Sequence, residues 1–375
     1  MKKYDVIIIG GGLAGLTAAI HLKQENCEVL VIEKNMYPNH KVCGEYISNE
    51  VKPYLKSLGL AIDLFPYAEI DTLQMSTRSG KMIETKLPLG GFGISRYTFD
   101  NLLFEKASAI GVEFLFDMAT LVTFENHIFK VMVGSKTTYN TSIVIGAYGK
   151  RSVLDKSLKR NFIQQKSPWL GVKCHYDYDG FPSNRVALHN FNGGYGGLSK
   201  TEDGSVNFCY LTTFASFKKS KSIQDFNTNI VSKNLFLGDF LNNAKSKFEK
   251  PISIAQISFE KKNTVENHML MCGDSAGLIH PLCGNGMAMA IHSAKIVSEC
   301  ILDYLNDKNY DRSKLEISYT KLWKKEFESR LRTGRAIQSV LMNNTGSELA
   351  LNTIARSEKI LQMMIKRTHG NPILV

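Results

Sequence analysis

The sequence lacks the features of a membrane-spanning chain. None of its segments is an unbroken apolar run of about eighteen residues, the length that a transmembrane helix needs. The lysine-led apolar start is similar to a signal peptide, but Asp5 interrupts it and no small-residue cleavage site clearly follows. We therefore expect neither a transmembrane helix nor a secretory signal.

Paired cysteines and dense basic tracts are also absent. The seven cysteines are odd in number and include no C-x-x-C pair. Such scattered cysteines argue against a disulfide framework and a zinc site and are typical of reduced thiols, so we expect a cytoplasmic protein that binds no metal. The net charge of +11 is spread along the chain, which predicts a solvated basic surface and no nucleic-acid partner.

A glycine-rich turn is present near the amino terminus, in the segment YDVIIIGGGLAGLTAAIHLKQENCEVLVIEK. The pattern predicts a strand, a turn, a helix and a second strand. Gly10, Gly12 and Gly15 fill G-x-G-x-x-G, in which the glycines permit the tight turn, the approach of a pyrophosphate and close helix packing. Glu33 ends the second strand, where a carboxylate can accept hydrogen bonds from ribose hydroxyls. The segment therefore predicts a dinucleotide site.

A second glycine-rich loop lies far from the first, in GDSAGLIHPLCGNGMAMAIHSA at residues 273–294. The preceding HMLMC is typical of a short buried strand, and the residues that follow place an apolar stripe on one face of a helix. The loop between them has a bare backbone that a ligand can approach.

Together these two segments resemble the para-hydroxybenzoate-hydroxylase-like flavoproteins, which implies FAD as the cofactor. In that family the Gly-Asp pair grips the ribityl chain, so Asp274 is expected to accept a ribityl hydroxyl. The backbone of residues 284–287 is expected to face the pyrimidine edge of the flavin. The resemblance implies the following cofactor-binding residues: Gly10, Gly12, Leu13, Ala14, Gly15, Glu33, Lys34, Cys43, Arg96, Leu121, Gly149, Asp274, Gly284, Asn285, Gly286 and Met287.

Two further segments agree with this resemblance. The segment RYTFDNLLFEKASAIGVEF resembles the family's arginine-led helix, which implies that Arg96 contacts the cofactor or the cleft. The segment GAYGKRS resembles the GADGxxS motif, which contributes to FAD and nicotinamide-nucleotide binding. Gly149 and Ser152 match that motif, but Tyr148 replaces its aspartate. The resemblance implies NAD(P)H as the electron donor, and Tyr148 removes one of the usual contacts to it.

Two other segments are similar to the geranylgeranyl-reductase-like branch of the family. Cys43 and Gly44 match its Pro-Cys-Gly segment near the flavin, although valine replaces the proline. Tyr195 lies in a segment similar to the branch's G-G-Y-G-W strand pair, whose aromatic residues line the substrate cavity, and Gly197 stands where tryptophan is usual. Cys43 and Tyr195 are therefore the candidate catalytic residues.

The predicted fold class is α/β, with a Rossmann-type FAD-binding domain, an inserted antiparallel β-sheet substrate domain and a helical C-terminus. The FAD-binding domain is predicted to be discontinuous, with the segments 1–70, 96–160 and 265–305. The substrate domain is predicted to comprise 71–95 and 161–264, followed by C-terminal helices over 306–375. These helices are rich in lysine and arginine, which predicts a peripheral membrane contact.

The resemblance leaves two reactions open. One is hydroxylation of an electron-rich ring with molecular oxygen, and the other is hydride transfer to a polarised or prenyl double bond. The expected substrate is a small hydrophobic or aromatic molecule of aromatic, polyketide or isoprenoid type. A flavin halogenase is an alternative, but its W-x-W-x-I-P segment is absent and the two tryptophans, Trp169 and Trp323, are far apart. A non-catalytic FAD- or lipid-binding protein is the other alternative.

Overall fold

The computed structural model describes residues 3–135, 137–342 and 357–374. Its strands are β1 Val6–Ile9, β2 Val29–Ile32, β3 Tyr46–Ser48, β4 Ala68–Ser76, β5 Met82–Gly93, β6 Glu113–Leu115, β7 Ala119–Glu125, β8 Ile128–Val133, β9 Thr137–Thr141, β10 Ile143–Gly146, β11 Trp169–Asp177, β12 Arg185–Phe191, β13 Gly194–Lys200, β14 Val206–Thr213, β15 Lys245–Ser246, β16 Ile252–Ala255, β17 Val265–Glu266 and β18 Met269–Met271. Its α-helices are α1 Leu13–Gln24, α2 Lys52–Ser57, α3 Arg96–Ala109, α4 Leu154–Ser157, α5 Phe214–Phe217, α6 Ile223–Asn229, α7 Leu235–Asn243, α8 Gly286–Asn306, α9 Arg312–Met342 and α10 Glu358–Thr368.

One of the two large sheets has six strands, in the order β17-β18-β10-β1-β2-β6. Its strands are parallel except for the edge pair β17 and β18. Strands β1, β2 and β10 read VIII, VLVI and IVIG and are buried at every position. Continuous apolar strands of this kind are typical of a parallel sheet that is covered on both faces. Helix α1 packs against both α3 and α8. The predicted Rossmann-type α/β fold is confirmed.

The other large sheet is larger and mostly antiparallel. Its strand order is β15-β11-β14-β13-β12-β4-β5-β3, and β16 pairs with β11. Aromatic side chains attach helices to one of its faces: Phe226 of α6 and Phe240 of α7 pack on Tyr210 and Phe208 of β14. Strand β3 and the first residues of β4 pair in this sheet, although they lie inside the segment 1–70 that was predicted for the FAD-binding domain.

The remaining elements lie around these two sheets. Strands β7, β8 and β9 form a separate antiparallel sheet. Helix α9 packs against α8, and α10 packs against both α9 and β5. The predicted helical C-terminus is therefore present. Across the described ranges, no helix combines the length and the apolar character needed to cross a membrane.

A buried ionic cluster around Glu45 joins the larger sheet to the start of α3, which packs on α1 of the parallel-sheet region. This residue is wholly buried, has a positive φ of 56°, and accepts hydrogen bonds from the Arg96 N–H at 2.7 Å and from His175 Nε2 at 2.7 Å. Lys173 Nζ also donates to it, and the Lys173 side chain is itself fully buried. Burial opposes ionisation of Glu45, but Lys173 and His175 outweigh it and hold the pKa of the carboxyl below its usual value.

We expect Lys173→Met to destabilise the protein by about 3–5 kcal/mol, because it leaves the Glu45 carboxylate buried without its cation. The matched control is Lys130→Met, which breaks an exposed strand ion pair with Glu125 and should cost about 0–1 kcal/mol. Chemical denaturation gives both values. Because the pKa of Glu45 is lowered, the pair stabilises the fold at neutral pH and loses this effect as acid protonates Glu45. The difference in the free energy of unfolding between wild type and Lys173→Met should therefore narrow in acid. Equal losses of stability in Lys173→Met and Lys130→Met would contradict the assignment.

Candidate functional site

A cleft of about 600 Å³ lies between the carboxyl edge of the parallel sheet and the larger sheet. Residues that directly follow β1, β2, β10 and β18 line it: Gly10, Gly12, Glu33, Ala147, Tyr148, Gly149, Cys272 and Asp274. Ligands of open α/β sheets bind at this edge because the strand-to-helix loops converge there. The cleft is polar at this edge and becomes apolar toward the larger sheet.

The amino-terminal turn has the three glycine roles that its spacing predicts. Gly10 has a φ of 105°, and a Cβ there would lie 2.5 Å from the Ala147 carbonyl oxygen. A Cβ at Gly15 would lie 1.9 Å from the Gly10 oxygen, which shows how closely α1 packs on the turn. At Gly12, by contrast, the nearest atom would be Arg96 Nη2 at 3.6 Å. The backbone at Gly12 therefore faces open space at the start of α1, where no side chain caps the helix.

Two cationic side chains, Arg96 and Lys41, lie beside this turn. Arg96 donates from Nε and Nη2 to the Asp100 carboxylate at 2.7 Å each, and Lys41 Nζ donates to the same group at 2.8 Å. Asp100 is wholly buried, and although burial opposes its ionisation, Arg96 and Lys41 keep its pKa below the usual value. Two cations on one carboxylate leave a net positive charge near Gly12, which suits a pyrophosphate. The sequence indicated Arg96, but it gave no signal for Lys41, which belongs to no motif.

Glu33 closes the adenosine end of the cleft. Its carboxylate accepts the N–H of Gly11 at 2.7 Å and that of Asn35 at 3.0 Å, so its orientation is fixed. The remaining lone pairs of the two oxygens are available to hydroxyl donors. Lys34, Leu13 and Ala14 also line the cleft, as the resemblance implied.

The second glycine-rich loop lies on the opposite side of the cleft. Asp274 lines it, and within the described ranges its carboxylate accepts no hydrogen bond, while its backbone oxygen accepts Lys262 Nζ at 2.7 Å. Gly284 adopts the left-handed conformation with a φ of 65°, and α8 begins two residues later. Gly284, Gly286 and Met287 all line the cleft. This loop therefore presents a free carboxylate and a helix start to the same space.

Cys43 lies between these two loops. Its Sγ is 3.1 Å from Met287 Sδ, so the thiol meets the first turn of α8. Three polar side chains hold the backbone of its loop by donating to consecutive carbonyl oxygens at 3.0–3.1 Å: Lys150 to Val42, Asn207 to Cys43 and Ser199 to Gly44. The larger sheet supplies two of these donors, so it fixes where the thiol lies. The sequence identified Cys43 but not the residues that hold it.

Tyr195 places a phenol in the wall of the cleft. Its hydroxyl is buried and has no hydrogen-bond partner among the described residues, and burial raises its pKa well above the usual value. His280 lies beside it, with ring centroids 5.7 Å apart, and both of its ring nitrogens also lack a partner in that part of the chain. Burial lowers the pKa of His280 to about 4. Both groups are therefore uncharged at neutral pH, and the phenol keeps its proton.

Tyr148 occupies the position where the family carries an aspartate. Its hydroxyl donates to Asp155 Oδ1 at 3.2 Å, and Asp155 is in turn paired with Arg160 at 3.1 Å. Burial raises the pKa of the Tyr148 phenol, so no negative charge faces the cleft here. Gly149 follows it, and its N–H donates to Ser275 Oγ at 2.9 Å, which links this turn to the second loop.

The far half of the cleft is apolar. Its aliphatic lining residues are Leu73, Met75, Leu87, Val186, Leu188, Leu198, Leu211, Ile252, Ile254, Ile257, Ile337, Leu361, Met364 and Ile365. Gly197 adds space, because the nearest atom to a Cβ there would be Leu188 Cδ2 at 3.5 Å. Ile337 and the α10 residues belong to the C-terminal helices, for which the sequence predicts a peripheral membrane contact but no part of the cleft.

Three of the predicted cofactor residues do not line the cleft. Gly15 packs on the turn, as its spacing implied. The Asn285 side chain is wholly buried and points to the C-terminal helix, so only its backbone can serve the loop. Leu121 lies on β7 of the separate three-stranded sheet, with an exposed fraction of 37%, and its contact with the cofactor stays a prediction.

The glycine turn, the acid after β2 and the second glycine loop, converging on one cleft, define a dinucleotide-binding oxidoreductase of the flavoprotein class. Residues 3–312 match the FAD binding domain family, and the chain belongs to that family. It is an FAD-dependent oxidoreductase of the para-hydroxybenzoate-hydroxylase-like superfamily.

Individual relatives agree with this assignment. The chain is 26% identical to the digeranylgeranylglycerophospholipid reductase of Methanosarcina acetivorans, over 86% of this chain and 80% of the relative. Its fold is similar to that of the flavin-dependent brominase Bmp2, with a TM-score of 0.76 and 18% identity over 98% of this chain and 95% of the other. A geranylgeranyl bacteriochlorophyll reductase-like protein of Thermoplasma acidophilum has a TM-score of 0.71 and 18% identity, over 99% and 93% of the two chains.

The residues present fit FAD. The open backbone at Gly12 and the neighbouring cations suit the pyrophosphate, and Glu33 suits the adenosine ribose. The unpartnered carboxylate of Asp274 suits a ribityl hydroxyl. No Cβ at Gly149 would meet another atom within 4 Å, so this turn also leaves room for the cofactor.

We expect Asp274→Ala to weaken FAD binding about ten- to hundredfold, because it removes one charge-assisted hydrogen bond worth about 1.5–3 kcal/mol. The matched control is Asp179→Ala, which removes an exposed carboxylate from a turn of the larger sheet. Titrating FAD into the flavin-free variants and following flavin fluorescence gives the dissociation constants. Equal affinity in Asp274→Ala and wild type would remove Asp274 from the cofactor site.

Proposed function

We propose that this enzyme is a reductase that saturates a carbon–carbon double bond in an isoprenoid-like substrate. The observation that carries the proposal is the apolar half of the cleft, which is continuous with the cofactor end and is walled by aliphatic side chains. Tyr210, Thr368 and His369 also line the cleft, but aliphatic side chains predominate in this half, and such a lining favours a hydrocarbon chain. The name of the Methanosarcina acetivorans relative, a reductase of a geranylgeranyl lipid, supports the same substrate class.

FAD, once reduced, supplies the hydride for such a bond. The chain's own task is to hold the substrate against the cofactor and to deliver a proton to the second carbon. Saturation of the bond thus consumes one hydride and one proton, and no oxygen enters the product.

Cys43 is the proposed proton donor. Its thiol lies where the cofactor loops meet the apolar half, and its loop is fixed by the donors from Lys150, Asn207 and Ser199. Tyr195 is the proposed second donor, since its buried hydroxyl keeps its proton and lacks a partner in the described residues. Both side chains line the cleft, and the uncharged phenol of Tyr195 can face an apolar substrate at little desolvation cost.

NAD(P)H is the proposed electron donor that regenerates the reduced cofactor. Tyr148 presents a neutral phenol where the family has a carboxylate, and Asp155 is already bound to that phenol and to Arg160. We therefore infer that NAD(P)H binds weakly at this turn, and that its oxidation is slow until a substrate occupies the cleft.

The test is an anaerobic single-turnover experiment. The FAD-loaded enzyme is reduced with NADPH or with dithionite and mixed with geranylgeraniol, while flavin absorbance is followed by stopped flow. We expect reoxidation without oxygen and a product heavier by two hydrogen atoms in mass spectrometry. Reoxidation only after oxygen is admitted, with an oxygen atom in the product, would replace the reductase with a hydroxylase. A halogenated product in the presence of bromide and oxygen would replace it with a halogenase.

We expect Cys43→Ala to slow this anaerobic reoxidation by at least about tenfold, since a positioned general acid contributes typically about 10²–10⁴-fold. The control is Cys27→Ala, which removes a buried thiol from the core beside β2, away from the cleft lining. Both variants are measured at saturating FAD, so that a change in cofactor affinity does not enter the rate. If Cys43→Ala reoxidises as fast as Cys27→Ala, the proton comes from another group.

A further inference from the structure

Helix α10 contributes side chains to the apolar half of the cleft. Leu361, Met364 and Ile365 line the cleft, and Leu361 and Ile365 are only 2% and 5% exposed. These two residues share one apolar cluster with Leu73 and Leu87 of the larger sheet. This part of the cleft wall is therefore a packed helix face.

The chain after α10 is fastened to the body through Glu50. The wholly buried Glu50 carboxylate accepts the N–H of Gly370 at 2.7 Å and Arg330 Nη1 at 3.3 Å. The backbone oxygen of Glu50 accepts the N–H of Ile373 at 2.8 Å. Since a buried carboxylate that loses its donors is costly, these contacts hold the carboxyl end of α10 firmly in place.

A second contact ties α10 to the cofactor loop. Asn285 caps α8 in the second glycine loop, and its Nδ2 donates to the Thr368 carbonyl oxygen at 2.9 Å and to Glu50 Oε2 at 3.4 Å. The last residues of α10 are thus bonded directly to the loop that presents Gly286 and Met287 to the cofactor. The distance from the cofactor loop to α10 is fixed by these bonds.

We propose that α10 is the end wall that limits the length of the bound chain, with Leu361 and Ile365 as its specificity-determining residues. The proposal rests on the proposed function, because it assumes an isoprenoid-like substrate that enters with its far end toward α10. Replacing both residues by alanine removes about as many carbon atoms as one isoprene unit contains. The cleft then accepts a chain that is longer by about one unit, while the fixed cofactor loop stays where it is.

The experiment measures binding of geraniol, farnesol, geranylgeraniol and geranylfarnesol, which lengthen by one isoprene unit each, to the FAD-loaded enzyme by calorimetry. In the wild-type enzyme we expect the affinity for the prenyl alcohol to rise with each added isoprene unit. The affinity should then fall at the first alcohol that is too long for the cleft. In the Leu361→Ala/Ile365→Ala variant we expect that limit to move one unit longer, with at least about a tenfold gain for the first chain that wild type rejects. The control is Met363→Ala on the same helix, whose side chain is 49% exposed, and it should keep the wild-type limit.

A second variant, which adds volume instead of removing it, keeps the proposal testable if the alanine variant fails to fold. Leu361→Phe adds volume to the end wall and should move the limit one unit shorter. An unchanged limit in both the alanine and the phenylalanine variants, or a wild-type enzyme that binds every length without a limit, would overturn the end wall and leave the reductase intact. If wild type binds none of the prenyl alcohols, the substrate class itself is wrong, and the proposed function fails together with the inference.

Discussion

The buried carboxylate of Glu45 is the interaction on which the cleft depends. It accepts a main-chain N–H at the start of α3, which carries Arg96, and it binds Lys173 and His175 of the larger sheet. Neither sheet provides the cleft alone, because the cofactor loops belong to one sheet and the apolar wall to the other. Since α3 packs on α1, which covers the parallel sheet, this buried cluster links the larger sheet to the part of the protein that carries the cofactor loops.

The position of the cleft between the two large sheets explains why it divides into a polar and an apolar end. The carboxyl edge of the parallel sheet brings together free backbone groups, cations and two carboxylates, which suit the phosphates and hydroxyls of FAD. The facing sheet presents aliphatic side chains and the phenol of Tyr195, whose charged form burial disfavours. Under the proposed function, the reacting bond lies at the boundary between these ends, where Cys43 meets the first turn of α8.

The sequence predicts the parts of this site that depend on local backbone geometry. Gly10, Gly12, Gly15 and Glu33 form one continuous segment, so their spacing alone determines the turn, and the fold class follows from the buried strands around it. The Glu45 cluster could not be predicted, because Lys173 and His175 lie more than a hundred residues from Glu45 and no motif marks a buried lysine. For a related reason, the resemblance indicated Leu121 by its position in the chain but not the small sheet into which it folds.

The C-terminal helix shows the same limit of sequence reasoning and adds a consequence for the reaction. Its apolar positions are ordinary for an amphipathic helix, so only the fold reveals that they face a cleft. The Asn285 side chain bonds α10 while the neighbouring Gly286 and Met287 face the cofactor. One loop therefore contacts both the redox end and the chain end of the cleft. If the substrate is an isoprenoid chain held against α10, this rigid connection determines which of its double bonds lies beside Cys43, so substrate length and reaction position are set by the same contacts.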